Sequence, residues 1–184
     1  MMGKSTLIGK PAPPLELPSI PNGDLYKLPI GEKPIALFFV CYPHLSCPSP
    51  FHSDYSAQFP QAGTTGCTKE ACAFRDAQKS NTTFKRFEGD LEVVGISSDA
   101  TAKQASFADE YNLPYPLISD KDGAARKAYD VGGFLFGMVP GRETFFIDRK
   151  GIVRGVCDSN IDFKAHTKFV EKQLKEMEKE TPAQ

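Results

Sequence analysis

Cys67 and Cys72 are the two residues whose type and setting could carry redox chemistry in this chain. They lie in the stretch Gly63-Thr64-Thr65-Gly66-Cys67-Thr68-Lys69-Glu70-Ala71-Cys72-Ala73-Phe74-Arg75-Asp76. Gly66 and the Thr-rich segment before it read as a turn, and the residues from Thr68 onward are compatible with a helix. The sequence therefore places Cys67 in or beside the first turn of that helix. Amides there are unpaired and the helix dipole adds partial positive charge, which together favour a thiolate over a thiol. A thiol of pKa about 8.5 is only slightly ionised at neutral pH, and each unit of lowering is worth about 1.36 kcal/mol to the nucleophile. The competing reading makes both cysteines small buried hydrophobes.

A second cluster invites a different chemistry. Cys41, His44, Cys47 and His52 have the side chains of a mixed Zn²⁺ site, yet they lack the paired Cys-x-x-Cys or His-x-x-x-His spacing and any knuckle-like flanks. No metal and no cofactor is expected.

Elements that would position the thiols can be read from the hydrophobic pattern. Pro34 to Val40 is a continuous apolar run of strand length, as expected for a central strand buried on both faces. Leu91 to Ser97 is a second buried strand, and Thr101 to Tyr111 is helical, with Phe107 and Tyr111 on one face. Strand, helix, strand at this spacing makes a right-handed crossover in a mostly parallel core. Leu15 to Leu17 and Tyr26 to Leu28, around Asn22-Gly23, form at most an edge hairpin. Asp122 to Tyr129 is a short helix, Glu143 to Ile147 and Ile152 to Val156 a hairpin, and Phe163 to Glu178 the closing helix, with 179–184 a frayed tail.

The 184 residues, 40% of them hydrophobic, suffice for one domain over 1–184. A formal net charge of -1 offers no electrostatic footprint for nucleic acid or an anionic membrane, so neither is expected as a partner. The first ten residues read as neither secretory signal nor transit peptide, and five cysteines without a dense framework suit a reducing compartment. The expected location is cytoplasmic or nuclear.

Pro60-Gln-Ala-Gly-Thr64-Thr-Gly-Cys67 fits the pattern Pro-x-x-x-Thr-x-x-Cys, and the chain here resembles the peroxiredoxins, Q type, also called bacterioferritin comigratory protein-like, of the AhpC/TSA superfamily. Tyr111 to Asp120 and Phe136 to Asp148 are similar to that type in the same order. The resemblance implies an α/β, thioredoxin-like fold, with a mixed, mostly parallel sheet flanked by helices. It also implies a thiol-dependent peroxidase reducing hydrogen peroxide and organic hydroperoxides. Cys67 would be the nucleophile, becoming a sulfenic acid. Thr64 would give its hydroxyl to the peroxide or hold the thiolate, and Pro60, which has no N–H, would shield the pocket from water. Arg142 would stabilise the thiolate and the cleaved oxygens.

Cys72 would resolve the sulfenic acid as an intramolecular disulfide, recycled by thioredoxin or a similar dithiol. On an intact helix the two Cα atoms would be about 8.6 Å apart, beyond the roughly 7 Å that a disulfide spans, so the turn between them must unwind. Resolution within one chain makes a monomer sufficient. Arg75 and Glu70 read as surface charges and Cys157 as an inert core thiol. Two other functions compete: a thioredoxin-like disulfide reductase, which would want Cys-x-x-Cys, and a redox sensor or chaperone without turnover.

Val40 to Gln58 interrupts the resemblance between strand and nucleophile loop, with prolines, serines and no periodicity. The segment reads as a translated intron. Val40-Cys41 can be encoded as a splice donor, Ser53-Asp54 can contain a branch point and Gln58 can be an acceptor. The alternatives are a genuine surface loop and an isoform inactivated by the insertion. Sequencing the transcript decides between intron and loop.

Overall fold

The computed structural model describes residues 5–40, 62–134, 139–159 and 162–180. Its centre is β3 (Ile35–Phe39), the apolar run expected to be a central strand, and every residue of it is buried. Alternation along this strand divides the core in two, as the two-residue period of a strand requires. Ala36, Phe38 and Val40 face one cluster, and Ile35, Leu37 and Phe39 the other.

Two short strands, β1 (Glu16–Pro18) and β2 (Leu25–Lys27), precede β3 and pair antiparallel as the expected hairpin. After β3 come α1 (Ala62–Ser80) and α2 (Thr82–Arg86). Next are β4 (Glu92–Ser97), α3 (Thr101–Tyr111), β5 (Leu117–Ser119) and α4 (Ala124–Ala128). The short pair β6 (Gly133–Phe134) and β7 (Val139–Pro140) leads into β8 (Glu143–Ile147), β9 (Val153–Asp158) and α5 (Phe163–Glu180). The main sheet has the order β5-β4-β3-β8-β9. Pairs β3–β4 and β4–β5 are parallel, whereas β3–β8 and β8–β9 are antiparallel. The mixed sheet between helices is the α/β architecture that the sequence led us to expect.

One face of the sheet is covered by α1, α2 and α5 through Phe74, Phe84, Val170 and Leu174, and the other by α4 and the N-terminal segment through Tyr129, Ala12 and Leu15. Phe38 and Phe74 stack with ring centroids 4.6 Å apart, and Tyr115 meets Phe38 edge-on at 5.7 Å. This triple contact fixes α1 across β3. Gly95 makes room for it: a Cβ there would lie 2.9 Å from Phe38 Cζ and 2.6 Å from Leu117 Cδ2.

Four sequence-based expectations change. Helix α1 starts at Ala62, so the stretch Gly63 to Gly66 is helical rather than a turn. Helix α5 runs to Glu180, where the side chain pairs with Arg154 and Lys175 pairs with Glu171 at 2.5 Å, so 179 and 180 are not frayed. Val40 is no part of an irregular insertion, since it is buried and its N–H donates to Ile96 O at 2.9 Å in continuation of the β3–β4 pairing. Helix α2 was not expected; Asn81 caps it by accepting from the N–H groups of Thr83 and Phe84. The remainder of the proposed intron, with Cys41, His44, Cys47 and His52, lies outside the described residues.

Candidate active site

Helix α1 carries Cys67 in its second turn, fully buried beneath the sheet's helical face. The early start of the helix changes what can hold a thiolate there. A residue five places into a helix has no orphan amide, and the dipole's influence fades beyond the first turn. Charge comes instead from Arg142, which immediately precedes β8 and donates from Nη2 to Cys67 Sγ at 3.2 Å. A guanidinium at that distance and only 12% exposed favours sulfur as an anion.

Gly66 explains how the guanidinium reaches the helix. A Cβ at this position would fall 2.6 Å from Arg142 Nη1 and 2.7 Å from Phe163 Cε1, so any larger residue would push both away. Glycine in a helix interior costs about 1 kcal/mol relative to alanine, and here that loss makes room for the cation beside Cys67. Phe163, the first residue of α5, lies under the Arg142 guanidinium carbon at 4.8 Å from its ring centroid. Behind the site, Arg126 of α4 donates to Gly141 O at 3.2 Å and to Val40 O at 3.1 Å, tying the approach to Arg142 to the end of β3.

Beside the thiol lies a buried polar cluster that the sequence did not reveal. Glu70 is fully buried, and its Oε2 lies 3.4 Å from Arg142 Nε. Its Oε1 lies 3.3 Å from Nδ1 of His166, a fully buried residue of α5. Burial pushes the Glu70 carboxyl up to about 8, against the opposing influence of the Arg142 guanidinium. His166 is moved the other way, held below its usual range first by burial and then by Arg142, although the Ser159 carbonyl opposes this.

Hydrogen bonding fixes the tautomer. His166 Nε2 is 2.9 Å from Ser159 O, which can only accept, so Nε2 carries the proton. In the neutral ring Nδ1 is then the acceptor for the Thr144 hydroxyl at 2.8 Å. The single Thr144 proton is thereby committed to His166, which leaves both Glu70 oxygens without a good donor among the described residues. A protonated carboxyl suits that position better than an anion.

Cys72 has different surroundings. It is half-buried on a groove of about 800 Å³ between α1 and α5, with Asp76, Phe163, Lys164, Thr167 and Glu171 among the lining residues. Burial raises its thiol, with Arg75 pulling the other way. Cys67 and Cys72 are both thiols, not disulfides, on one unbroken helix, whereas Cys157 lies in β9, where burial pushes its thiol up to about 11.

The structure thus brings Cys67 and Arg142 together and sets Cys72 apart on the same helix. Thr64 lies in the first turn of α1, and its side chain, like the whole of Pro60, is outside the described residues. Glu70 is not the surface charge expected of it. Arg75 is partly exposed, donating to Tyr111 O at 2.6 Å and pairing with Asp76 at 2.9 Å. Two signals could have exposed the cluster. Glu70 follows Cys67 by three residues, which puts both on one helix face, and Phe163, His166, Val170 and Leu174 form a helical stripe in which the histidine must be buried.

The AhpC/TSA family model matches residues 57–156, more than half of the chain. This chain belongs to the AhpC/TSA family. It is 41% identical over 117 residues to the chloroplastic peroxiredoxin Q of Arabidopsis thaliana, covering 64% of this chain and 52% of that protein. With the chloroplastic peroxiredoxin Q of Suaeda salsa the identity is 42% over 108 residues, or 59% of this chain and 48% of the other. The chain spans about half the length of the curated relatives it matches. Among solved structures it resembles peroxidoxin BcpB from Mycobacterium tuberculosis, at 32% identity and a TM-score of 0.69, covering 95% of this chain and 97% of that one. A peroxiredoxin Q structure from Xanthomonas campestris shares the fold at 20% identity and a TM-score of 0.62, covering 88% and 90%. The expected cytoplasmic or nuclear location is overturned here, because these curated relatives are named as chloroplastic.

Proposed function

We propose that this AhpC/TSA-family chain is a thiol-dependent peroxidase acting on hydrogen peroxide and organic hydroperoxides. The observation that carries the reading is the buried contact between Arg142 Nη2 and Cys67 Sγ at 3.2 Å. The Cys67 thiolate attacks one peroxide oxygen, the O–O bond breaks, and the second oxygen leaves as hydroxide or alkoxide and takes up a proton. Sulfur is oxidised to the sulfenic acid while the peroxide is reduced to water or alcohol. Arg142 Nη1 is buried without a hydrogen-bond partner among the described residues, and it serves the charge that develops on the cleaved oxygens. Thr64 supplies a hydroxyl to the bound peroxide and Pro60 screens it from water.

Cys72 then attacks the sulfenic acid, forming the Cys67–Cys72 disulfide and releasing water, and a dithiol of the thioredoxin type reduces that bond. The groove beside Cys72 gives the resolving sulfur an open side that Cys67 lacks. One chain acts as a monomer and single domain, and the likeness to chloroplastic relatives carries the location to a plastid. Peroxide consumption coupled to a thioredoxin system tests the activity. Turnover that disappears when either thioredoxin or the peroxide is omitted is expected, and disulfide reduction without any peroxide consumption would overturn it.

A further inference from the structure

We propose that Glu70 and the Cys67 thiolate exclude one another as anions, so that Arg142 serves sulfur fully only while Glu70 holds a proton. This makes Glu70 a positioning residue acting through Arg142. The proposal rests on Cys67 being the reacting thiol, as argued above.

Geometry gives the reason. One guanidinium is shared by two acidic groups on the same face of α1, with Nη2 at 3.2 Å from Cys67 Sγ and Nε at 3.4 Å from Glu70 Oε2. Among the described residues, no element packed against Glu70 provides a second cation. From α5 comes His166, neutral with its proton on Nε2 toward Ser159 O. From β8 comes Thr144, whose hydroxyl is directed to His166. Farther off are Cys157 of β9 and Tyr115, both held neutral chiefly by burial and secondarily by negative charge nearby, Glu70 included.

A Cys67 thiolate with Glu70 protonated has the Arg142 guanidinium to itself, whereas two anions would have to share that one cation, a costly arrangement away from water. Two acids coupled in this way titrate as a pair, and the removal of one must ease the ionisation of the other. The buried carboxyl is already raised toward neutral pH, so the exchange falls in a range where it can be observed.

Isotope-edited infrared spectroscopy with ¹³C-labelled glutamate tests the proposal without any turnover. At pH 7 the parent protein should show a protonated-carboxyl band that Glu70→Gln lacks. In Cys67→Ser, where the competing anion is gone, that band should convert to carboxylate with a midpoint lower by about one pH unit or more. Should Glu70→Gln fail to fold, Glu70→Asp takes its place, because aspartate carries no ¹³C-glutamate label and loss of the band then assigns it to residue 70 rather than to Glu143, whose carboxyl burial also raises. A parent protein without the protonated band, or a band whose midpoint Cys67→Ser does not move, would overturn the proposal. Because both readings are taken without peroxide, exclusion can fail while peroxide consumption persists, and it can hold where consumption is absent.

Discussion

Cys67 and Cys72 stand five residues apart on one helix, yet the first is enclosed beside a guanidinium whereas the second is half-exposed on a groove with its thiol raised by burial. The difference follows from what each side of α1 faces. Toward β8 and α5 the helix presents Cys67 and Glu70 to Arg142 and His166, a buried polar patch. One turn later Phe74 stacks on Phe38, and the Tyr115 hydroxyl donates to Ala71 O at 2.8 Å. Reaction and anchoring therefore alternate along a single element. In the proposed mechanism, disulfide formation must unwind the segment that joins them while Phe74 holds the far end in place.

Removing the first thiol should break the comparison most completely. Cys67→Ser is expected to lower thioredoxin-coupled peroxide consumption below about a tenth of the parent's, since serine is not appreciably ionised and cannot cycle through a sulfenic acid. Arg142→Lys keeps the charge but removes the fork that reaches sulfur and substrate together. Its second-order rate with peroxide should fall about 100-fold with little change in melting temperature, and an unchanged rate would remove Arg142 from the chemistry.

The second thiol can be probed by pH. In the proposed resolution step it is the Cys72 thiolate, not the thiol, that would attack the sulfenic acid, and burial raises that thiol, so its ionised fraction grows as pH rises. Resolution should accelerate about tenfold per unit from pH 7 toward 9, as followed by loss of dimedone-reactive Cys67 after a single peroxide pulse. A flat profile would show that unwinding, rather than ionisation, limits the step. The smallest expected effect comes from Tyr115→Phe, which frees Ala71 O. It should cost about 1 kcal/mol in denaturant unfolding and speed disulfide formation several-fold, because the bond it removes resists the unwinding.

Much of the fold was readable because period and composition agree. The apolar run before the insertion became the middle strand, the Asp148-Arg-Lys-Gly151 turn joined β8 to β9, and the spacing of Phe107 and Tyr111 marked α3. The start of α1 was not readable. Two glycines and three threonines between 63 and 68 carry local turn propensity, whereas the structure is helical there, and the fit of Arg142 and Phe163 against Gly66 is a tertiary contact that local sequence does not announce. Cys67 and Arg142 could be found from residue type and motif. Glu70 was misjudged because an acid amid Lys and Arg on a helix is ordinarily solvated, and nothing local announces that α5 will cover it.

The central claim is that one thiol meets the peroxide and the other only resolves it. Dimedone labelling tests this most directly: reduced protein receives less than one equivalent of hydrogen peroxide in the presence of dimedone, and adducts are located by peptide mass spectrometry. An adduct on Cys67, with none on Cys72 and more of it in Cys72→Ser than in the parent, is the expected result. Adducts divided between the two cysteines, or found on Cys72 alone, would contradict the division of labour that their surroundings imply.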